Sequence, residues 1–342
     1  MGDFGFGIVG TGMIAGVIAH SLASAHGTRL AAVSSRSQAS ADAFVAAYDG
    51  VSAVQGVEAL LTLEAVEAVY VATPTTAKEA IALQAIAAGK HVLVDKPYTS
   101  EASAQRMIDA AAAKGLLFMD ATHFTHHPRT FAIKDALEDR IGAPKSLHTA
   151  FYFPMQERDN IRLNTSAEPM GALGDMAWYS MRAAHEYLQP TGTVGHATVL
   201  ADHDLQTGAI VRASGLIGFT SGEAATFDVG YTAGTAILDL SLVGTSGMIA
   251  MDDFVLDWTN SFASQNPSIP CGYVYRTGMG DRSEFSYIET PSEIPQDVLM
   301  MERFAAFATA GPSEDWLICA EAARRTQRYL DALWAAQADE KT

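Results

Sequence analysis

Over the first third of the chain, short apolar runs alternate with longer alanine-rich stretches. Residues 4–9, 29–35, 66–72, 91–94 and 116–119 are brief, apolar and β-prone, and each predicts a buried strand. Between them, the stretch running to about Ser24 and residues 39–48, 77–88 and 101–114 predict helices, three of them closed by Gly50, Gly89 and Gly115. Strand and helix in strict alternation mean a parallel, doubly wound α/β sheet of the Rossmann kind. Ligands of such sheets bind beyond the carboxyl ends of the strands, where Thr73-Pro74, Lys96-Pro97 and the segment after Met119 fall.

The pattern changes after about Pro128. Residues 131–140 predict a helix, and 146–153, 193–202, 209–220, 224–231, 236–243 and 248–251 predict strands with short polar or glycine links. A helix over 174–187 interrupts them, residues 260–295 show no regular pattern, and two helices over 297–310 and 314–336 close the chain. This predicts an α+β domain built on a large, mostly antiparallel sheet. For 342 residues two domains are expected, a nucleotide-binding one over 1–124 and a substrate-binding, oligomer-forming one over 125–342.

The first strand runs into Gly10-Thr11-Gly12-Met13-Ile14-Ala15, spaced G-x-G-x-x-A, and a helix follows. That is the context the dinucleotide fingerprint requires. Gly10 permits the tight turn, Gly12 lets a diphosphate approach the backbone, and Ala15 lets helix and strand pack closely. The diphosphate would meet the N–H groups and positive end of the helix, with Thr11, Met13 and Ile14 beside it. The second strand ends Ser34-Ser35-Arg36-Ser37, without the carboxylate that would bind a ribose 2′-hydroxyl. Ser35 and the Arg36 guanidinium suit a 2′-phosphate, so the expected cofactor is NADP, with NAD possible. The alternative is that Arg36 is an ordinary surface residue.

Charge narrows the partners. A net charge of −17 repels nucleic acid and anionic membranes, so neither is expected. Cys271 and Cys319 have no metal or redox spacing and predict two reduced thiols. With no membrane-length apolar run and no leader-like start, a cytoplasmic protein is expected.

Four blocks carry a family resemblance: residues 7–15, Val71-Ala72-Thr73-Pro74, the run from Ala88 to Pro97 (AGKHVLVDKP), and the run from Gly171 to Tyr179 (GALGDMAWY). Together they resemble the glucose–fructose oxidoreductase/inositol dehydrogenase/MocA family, most closely its dihydrodiol and sugar dehydrogenase branches. The resemblance implies a cofactor site including Thr73, Pro74, Asp95 and Lys96, and a catalytic role for Lys96, Asp175 and Tyr179. Asp95 stands where the family mostly has Glu, and Thr75, Thr76 and Lys78 replace its usual Asn/His-containing run.

These residues fit hydride-transfer chemistry. Lys96 can stabilise a substrate oxygen that gains charge, and Asp175 and Tyr179, spaced i, i+4, share one helix face. Lys96 and Tyr179 are expected as the acid–base pair, Asp175 as a positioning group, and His123 and Arg162 as substrate contacts, a structural salt bridge being the alternative for Arg162. No metal site is expected from His123, His126 and His127. The expected reaction interconverts a hydroxyl and a carbonyl on a sugar, sugar derivative, polyol or cyclic diol, in a homodimer or homotetramer. Two other readings are NAD-assisted glycoside hydrolysis and a non-catalytic dinucleotide-binding sensor.

Overall fold

The computed structural model describes residues 3–339. The chain divides into two compact units, one up to His123 together with Gln296–Arg324, the other Phe124–Pro295 together with the chain from Arg325 on.

In the first unit, strands β1 (Phe4–Val9), β2 (Thr28–Ser35), β3 (Ser52–Gln55), β4 (Ala68–Val71), β5 (His91–Val94) and β6 (Phe118–Asp120) alternate with helices α1 (Met13–Ser24), α2 (Gln38–Val45), α3 (Val57–Leu61), α4 (Thr75–Ala87) and α5 (Glu101–Ala113). All strand pairs are parallel, in the order β3-β2-β1-β4-β5-β6. The doubly wound sheet predicted by the pattern is present, with β1 and β4 fully buried. The strand β3 and the short helix α3 are additions to it. Its edge position leaves Ser52 and Gln55 exposed, so the apolar signal that marks a central strand is missing.

The second unit begins with helix α6 (Pro128–Ile141) and strand β7 (Pro144–Tyr152), followed by helix α7 (Gly171–Ala183) and one stretch of π-helix, Ala184–Leu188. Strands β8 (Val194–His203), β9 (Ile210–Phe219), β10 (Ala224–Gly230), β11 (Ile237–Gly244), β12 (Met248–Met251), β13 (Gly272–Arg276) and β14 (Ser286–Glu289) complete a sheet ordered β14-β13-β12-β11-β7-β10-β9-β8. It is antiparallel except for β7 and β10. The strands β13 and β14 lie within 260–295, where no regular element was expected. β14 is a mostly exposed edge strand, and β13, paired between β14 and β12, is only five residues long.

Helices α8 (Gln296–Ala310) and α9 (Glu314–Asp339) close the chain. Both follow the second domain in the chain, within the expected 125–342, but residues 296–324 pack with the first unit. The cause is apolar burial. Met300, Met301, Phe304, Ala305, Ala308 and Trp316 join Phe4, Phe6, Ile8, Ile18 and Leu22 in one core. The ring of Phe304 lies 5.4 Å from that of Phe6. At roughly 1.5–3 kcal/mol for each large side chain buried, this contact outweighs proximity in sequence.

Candidate active site

The first unit carries the strand ends where a dinucleotide would lie. Gly10 follows β1 with φ +116°, and a Cβ there would stand 2.4 Å from the carbonyl oxygen of Ala72, so only glycine fits without strain. Its N–H donates to Ser34 O at 3.0 Å, tying the turn to β2. Gly12 occupies the N-cap of α1, and a Cβ there would meet nothing within 4 Å. The first turn of α1 has no side-chain cap and no acidic residue. Its amides and positive dipole end therefore face open space, an arrangement suited to a diphosphate. Thr11 and Ile14 are partly exposed, and Met13 is 69 % exposed.

At the end of β2, Ser35 is half-buried and Arg36 exposed. The Arg36 carbonyl accepts from Gln55 Nε2 at 3.2 Å, and Ser37 caps α2 through Ser40 N–H. This holds the backbone of Arg36 while its guanidinium has no ion pair among the described residues. After β4, Thr73 presents a buried hydroxyl with no hydrogen-bond partner, and Pro74 is the N-cap of α4. The open cradle at Gly12, the orphaned Thr73 hydroxyl and the unpaired Arg36 cation fit a phosphorylated dinucleotide.

After β5, Asp95 N–H donates to Val71 O at 3.2 Å. Asp95 and Lys96 are partly buried, and the Lys96–Pro97 peptide is cis. His123 is buried, and its Nδ1 lies 2.7 Å from Gln296 Nε2. Burial and then the charge of Lys96 push its pKa down to about 3, so it is a neutral imidazole near neutral pH. Gln296, 173 positions away, carries no sequence signal of this role. Lys78, noted in the sequence only as a departure from a pattern, is buried at 2 % exposure, with Nζ 2.6 Å from Lys96 O.

The second unit carries Arg162, Asp175 and Tyr179. Helix α7 seats closely on the sheet because Gly171 (φ +50°) has no Cβ, which would lie 2.4 Å from Ile210 O. Asp175 and Tyr179 both fall on it, four residues apart, as the spacing predicted. Arg162 Nε donates to Asp175 Oδ2 at 2.6 Å, and the Tyr231 hydroxyl donates to the same oxygen at 2.9 Å. The Arg162 guanidinium also lies 5.5 Å from the ring centre of Phe153. The salt bridge weighed for Arg162 therefore exists, and its partner is Asp175. Burial and the Asp175 carboxylate hold the Tyr231 hydroxyl well above its ordinary pKa, so it stays protonated and donates. Tyr179 is buried, its ring 5.5 Å from Phe151 and 6.3 Å from Phe124. Tyr231 gives no signal of this in the sequence, because an aromatic residue at the end of a predicted strand reads as ordinary packing.

His126 and His127 are buried. His127 caps α6, its Nδ1 accepting from Arg129 N–H at 2.9 Å, with Nε2 3.3 Å from Asp257 and 3.6 Å from Cys271 Sγ. These three side chains could surround an ion. An Nδ1 that accepts a backbone N–H leaves the proton on Nε2, facing the carboxylate and thiol. The geometry is that of a hydrogen-bonded structural cluster, and burial raises the Cys271 thiol to about 12.

Residues 4–122 match the family model for the oxidoreductase family with NAD-binding Rossmann fold, and residues 132–250 match the GFO/IDH/MocA C-terminal domain. The chain belongs to the Gfo/Idh/MocA family. Among its Gfo/Idh/MocA relatives is the dTDP-3,4-didehydro-2,6-dideoxy-alpha-D-glucose 3-reductase of Streptomyces violaceoruber, 33 % identical over 66 % of this chain and 65 % of that protein. The enzyme of the same name from Streptomyces antibioticus is 38 % identical over 46 % of this chain and 48 % of its own. The chain thus matches from about half to just under two thirds of these relatives' length. Among solved structures, KijD10, a 3-ketoreductase from Actinomadura kijaniata in complex with NADP and TDP-benzene, superposes with TM-score 0.84 at 25 % identity, over 98 % of both chains. Among the described residues, no helix of this Gfo/Idh/MocA member is long and apolar enough to cross a membrane.

Proposed function

We propose that this chain is an NADP(H)-dependent oxidoreductase that interconverts a hydroxyl and a carbonyl on a sugar or sugar derivative, keto-sugars carried on a nucleotide being the first class to test. The observation that carries it is the pairing of an uncapped, glycine-opened first turn of α1 with a lysine, Lys96, two residues past the carboxyl end of the parallel strand β5. A cation so placed favours an oxygen that gains negative charge. The relatives support the substrate class, since those quoted reduce or bind nucleotide-linked sugars or their analogues.

In this reading NADP supplies and accepts the hydride. Gly10, Thr11, Gly12, Met13 and Ile14 hold its diphosphate, Ser35 and Arg36 its 2′-phosphate, and Thr73, Pro74 and Asp95 lie along it. In the direction of reduction, the Tyr179 hydroxyl donates a proton to the carbonyl oxygen while the Lys96 ammonium stabilises that oxygen. In oxidation the same groups run backwards, the Tyr179 phenolate, favoured by the Lys96 charge in this reading, accepting the hydroxyl proton. Asp175, held by Arg162 and Tyr231, accepts a substrate hydroxyl and fixes which carbon reacts. His123, neutral, contributes a hydrogen bond and no charge.

The test is turnover. Purified protein is mixed with NADPH and a panel of keto-sugar nucleotides, and separately with NADP⁺ and free aldoses, inositols and cyclic diols, with NADPH absorbance as the readout. Turnover that falls at least about 100-fold in both Lys96→Ala and Tyr179→Phe supports the reading. Turnover that survives both substitutions removes the acid–base assignment. Release of free sugar from a glycoside with no net NADPH change points instead to redox-assisted hydrolysis.

A further inference from the structure

Lys78 is the fourth residue of α4 and is buried at 2 % exposure. Burying an ammonium is costly unless its donors are satisfied. Its Nζ lies 2.6 Å from Lys96 O, 3.0 Å from Pro97 O and 3.4 Å from Thr75 Oγ1. A lysine has three N–H donors, and three oxygens lie within reach of them here. Two of those oxygens are consecutive backbone carbonyls of the segment that carries Lys96. That segment is held at its other side by Asp95 N–H on Val71 O.

We propose that Lys78 is a positioning residue for Lys96, its buried ammonium clamping the Lys96 and Pro97 carbonyls to the first turn of α4 so that the Lys96 side chain leaves the backbone from a fixed place. This rests on Lys96 facing substrate. A four-carbon side chain amplifies any backbone shift at its root, and misplacement by about 1 Å can cost about 100-fold in rate. A neutral residue with a single donor cannot hold two carbonyls at once. The ammonium holds both, and its positive charge strengthens each bond.

The experiment compares wild type with Lys78→Met, Lys78→Gln and Lys78→Arg. Surface lysines are dimethylated with isotope-labelled formaldehyde, and the Lys96 signal is identified by its loss in Lys96→Arg. Lys78 is too buried for the reagent to reach. In wild type, Lys96 gives one signal apart from the exposed lysines, and NADPH shifts it. In Lys78→Met, the signal moves towards the exposed lysines or splits. NADPH affinity stays within about 3-fold, and kcat falls about 10- to 100-fold with little change in KM.

Lys78→Gln falls between the two, and decides the matter if Lys78→Met does not fold. Lys78→Arg, which keeps charge and donors, retains the wild-type signal. A role confined to stability lowers the melting temperature and leaves the Lys96 signal in place, and that result overturns the inference. If wild type binds NADPH yet reduces no sugar tested, the functional reading fails, while the Lys96 signal still decides the role of Lys78.

Discussion

Arg162 Nε lies 2.6 Å from Asp175 Oδ2, with the Tyr231 hydroxyl on the same oxygen. The carboxylate is thus fixed by a cation and a protonated phenol before any substrate arrives. Asp175→Ala removes the acceptor shared by Arg162 and Tyr231, and a hydrogen bond to a charged group is worth roughly 1.5–3 kcal/mol. Urea unfolding of Asp175→Ala is expected to show a loss of that order. Asp175→Asn keeps the shape and an acceptor, so it is expected to lose less than about 1 kcal/mol while lowering kcat/KM at least about 10-fold. Unimpaired turnover in Asp175→Asn would confine Asp175 to a structural role.

Gly10 and Gly12 look alike in the sequence and differ in the structure. An alanine Cβ at position 10 would lie 2.4 Å from Ala72 O on a backbone at φ +116°. Gly10→Ala is therefore expected to cost at least about 1–3 kcal/mol of stability. At position 12 the same methyl meets nothing within 4 Å. Gly12→Ala is expected to change stability by no more than about 1 kcal/mol, yet to weaken NADPH binding about 10-fold or more, by occupying the space a diphosphate needs. Thermal melts and NADPH titrations of both variants check this. Equal effects of the two substitutions on binding and stability would contradict the assignment of that open space to the cofactor.

His123 links the first unit to pH. Its folded pKa is lowered from 6.5 to about 3, by burial first and Lys96 second. Above pH 6.5 both folded and unfolded states leave it neutral, and it carries no penalty. As pH falls below 6.5 the unfolded state takes up a proton that the folded state refuses, so stability is lost. The loss from this group reaches about 3 kcal/mol by pH 4. His123→Gln, which keeps an acceptor for Gln296, is expected to flatten the stability–pH curve by about that amount between pH 6.5 and 4. His185, lowered to about 4 chiefly by burial, leaves a residual slope. An unchanged slope in His123→Gln would mean that His123 titrates normally.

The alternation of strand and helix and the G-x-G-x-x-A turn were legible because both are local: each strand buries its own apolar run, and the turn lies within one stretch of chain. The edge strands β3 and β14 were not, since an exposed edge carries no apolar signature, and β13, an inner strand of five residues, is too short to show a pattern. The placement of Met300 and Phe304 against Phe4 and Phe6 was hidden as well, because a helix's apolar stripe says that it packs and not on what. Of the candidate residues, Lys96 in the first unit and Asp175 and Tyr179 in the second stood out through motif and spacing. Lys78, Tyr231 and Gln296 did not, because each acts by reaching a residue distant in the chain, and a single sequence holds no record of that pairing.

The proposed use of NADP(H) by this Gfo/Idh/MocA member rests on the exposed guanidinium of Arg36, directly after β2. Fluorescence titration of the purified protein with NADPH and NADH, in wild type and Arg36→Ala, tests it most directly. NADPH is expected to bind at least about 10-fold tighter than NADH, with the preference lost in Arg36→Ala and NADH affinity unchanged. Equal or tighter NADH binding in wild type, or a preference that survives Arg36→Ala, would contradict it.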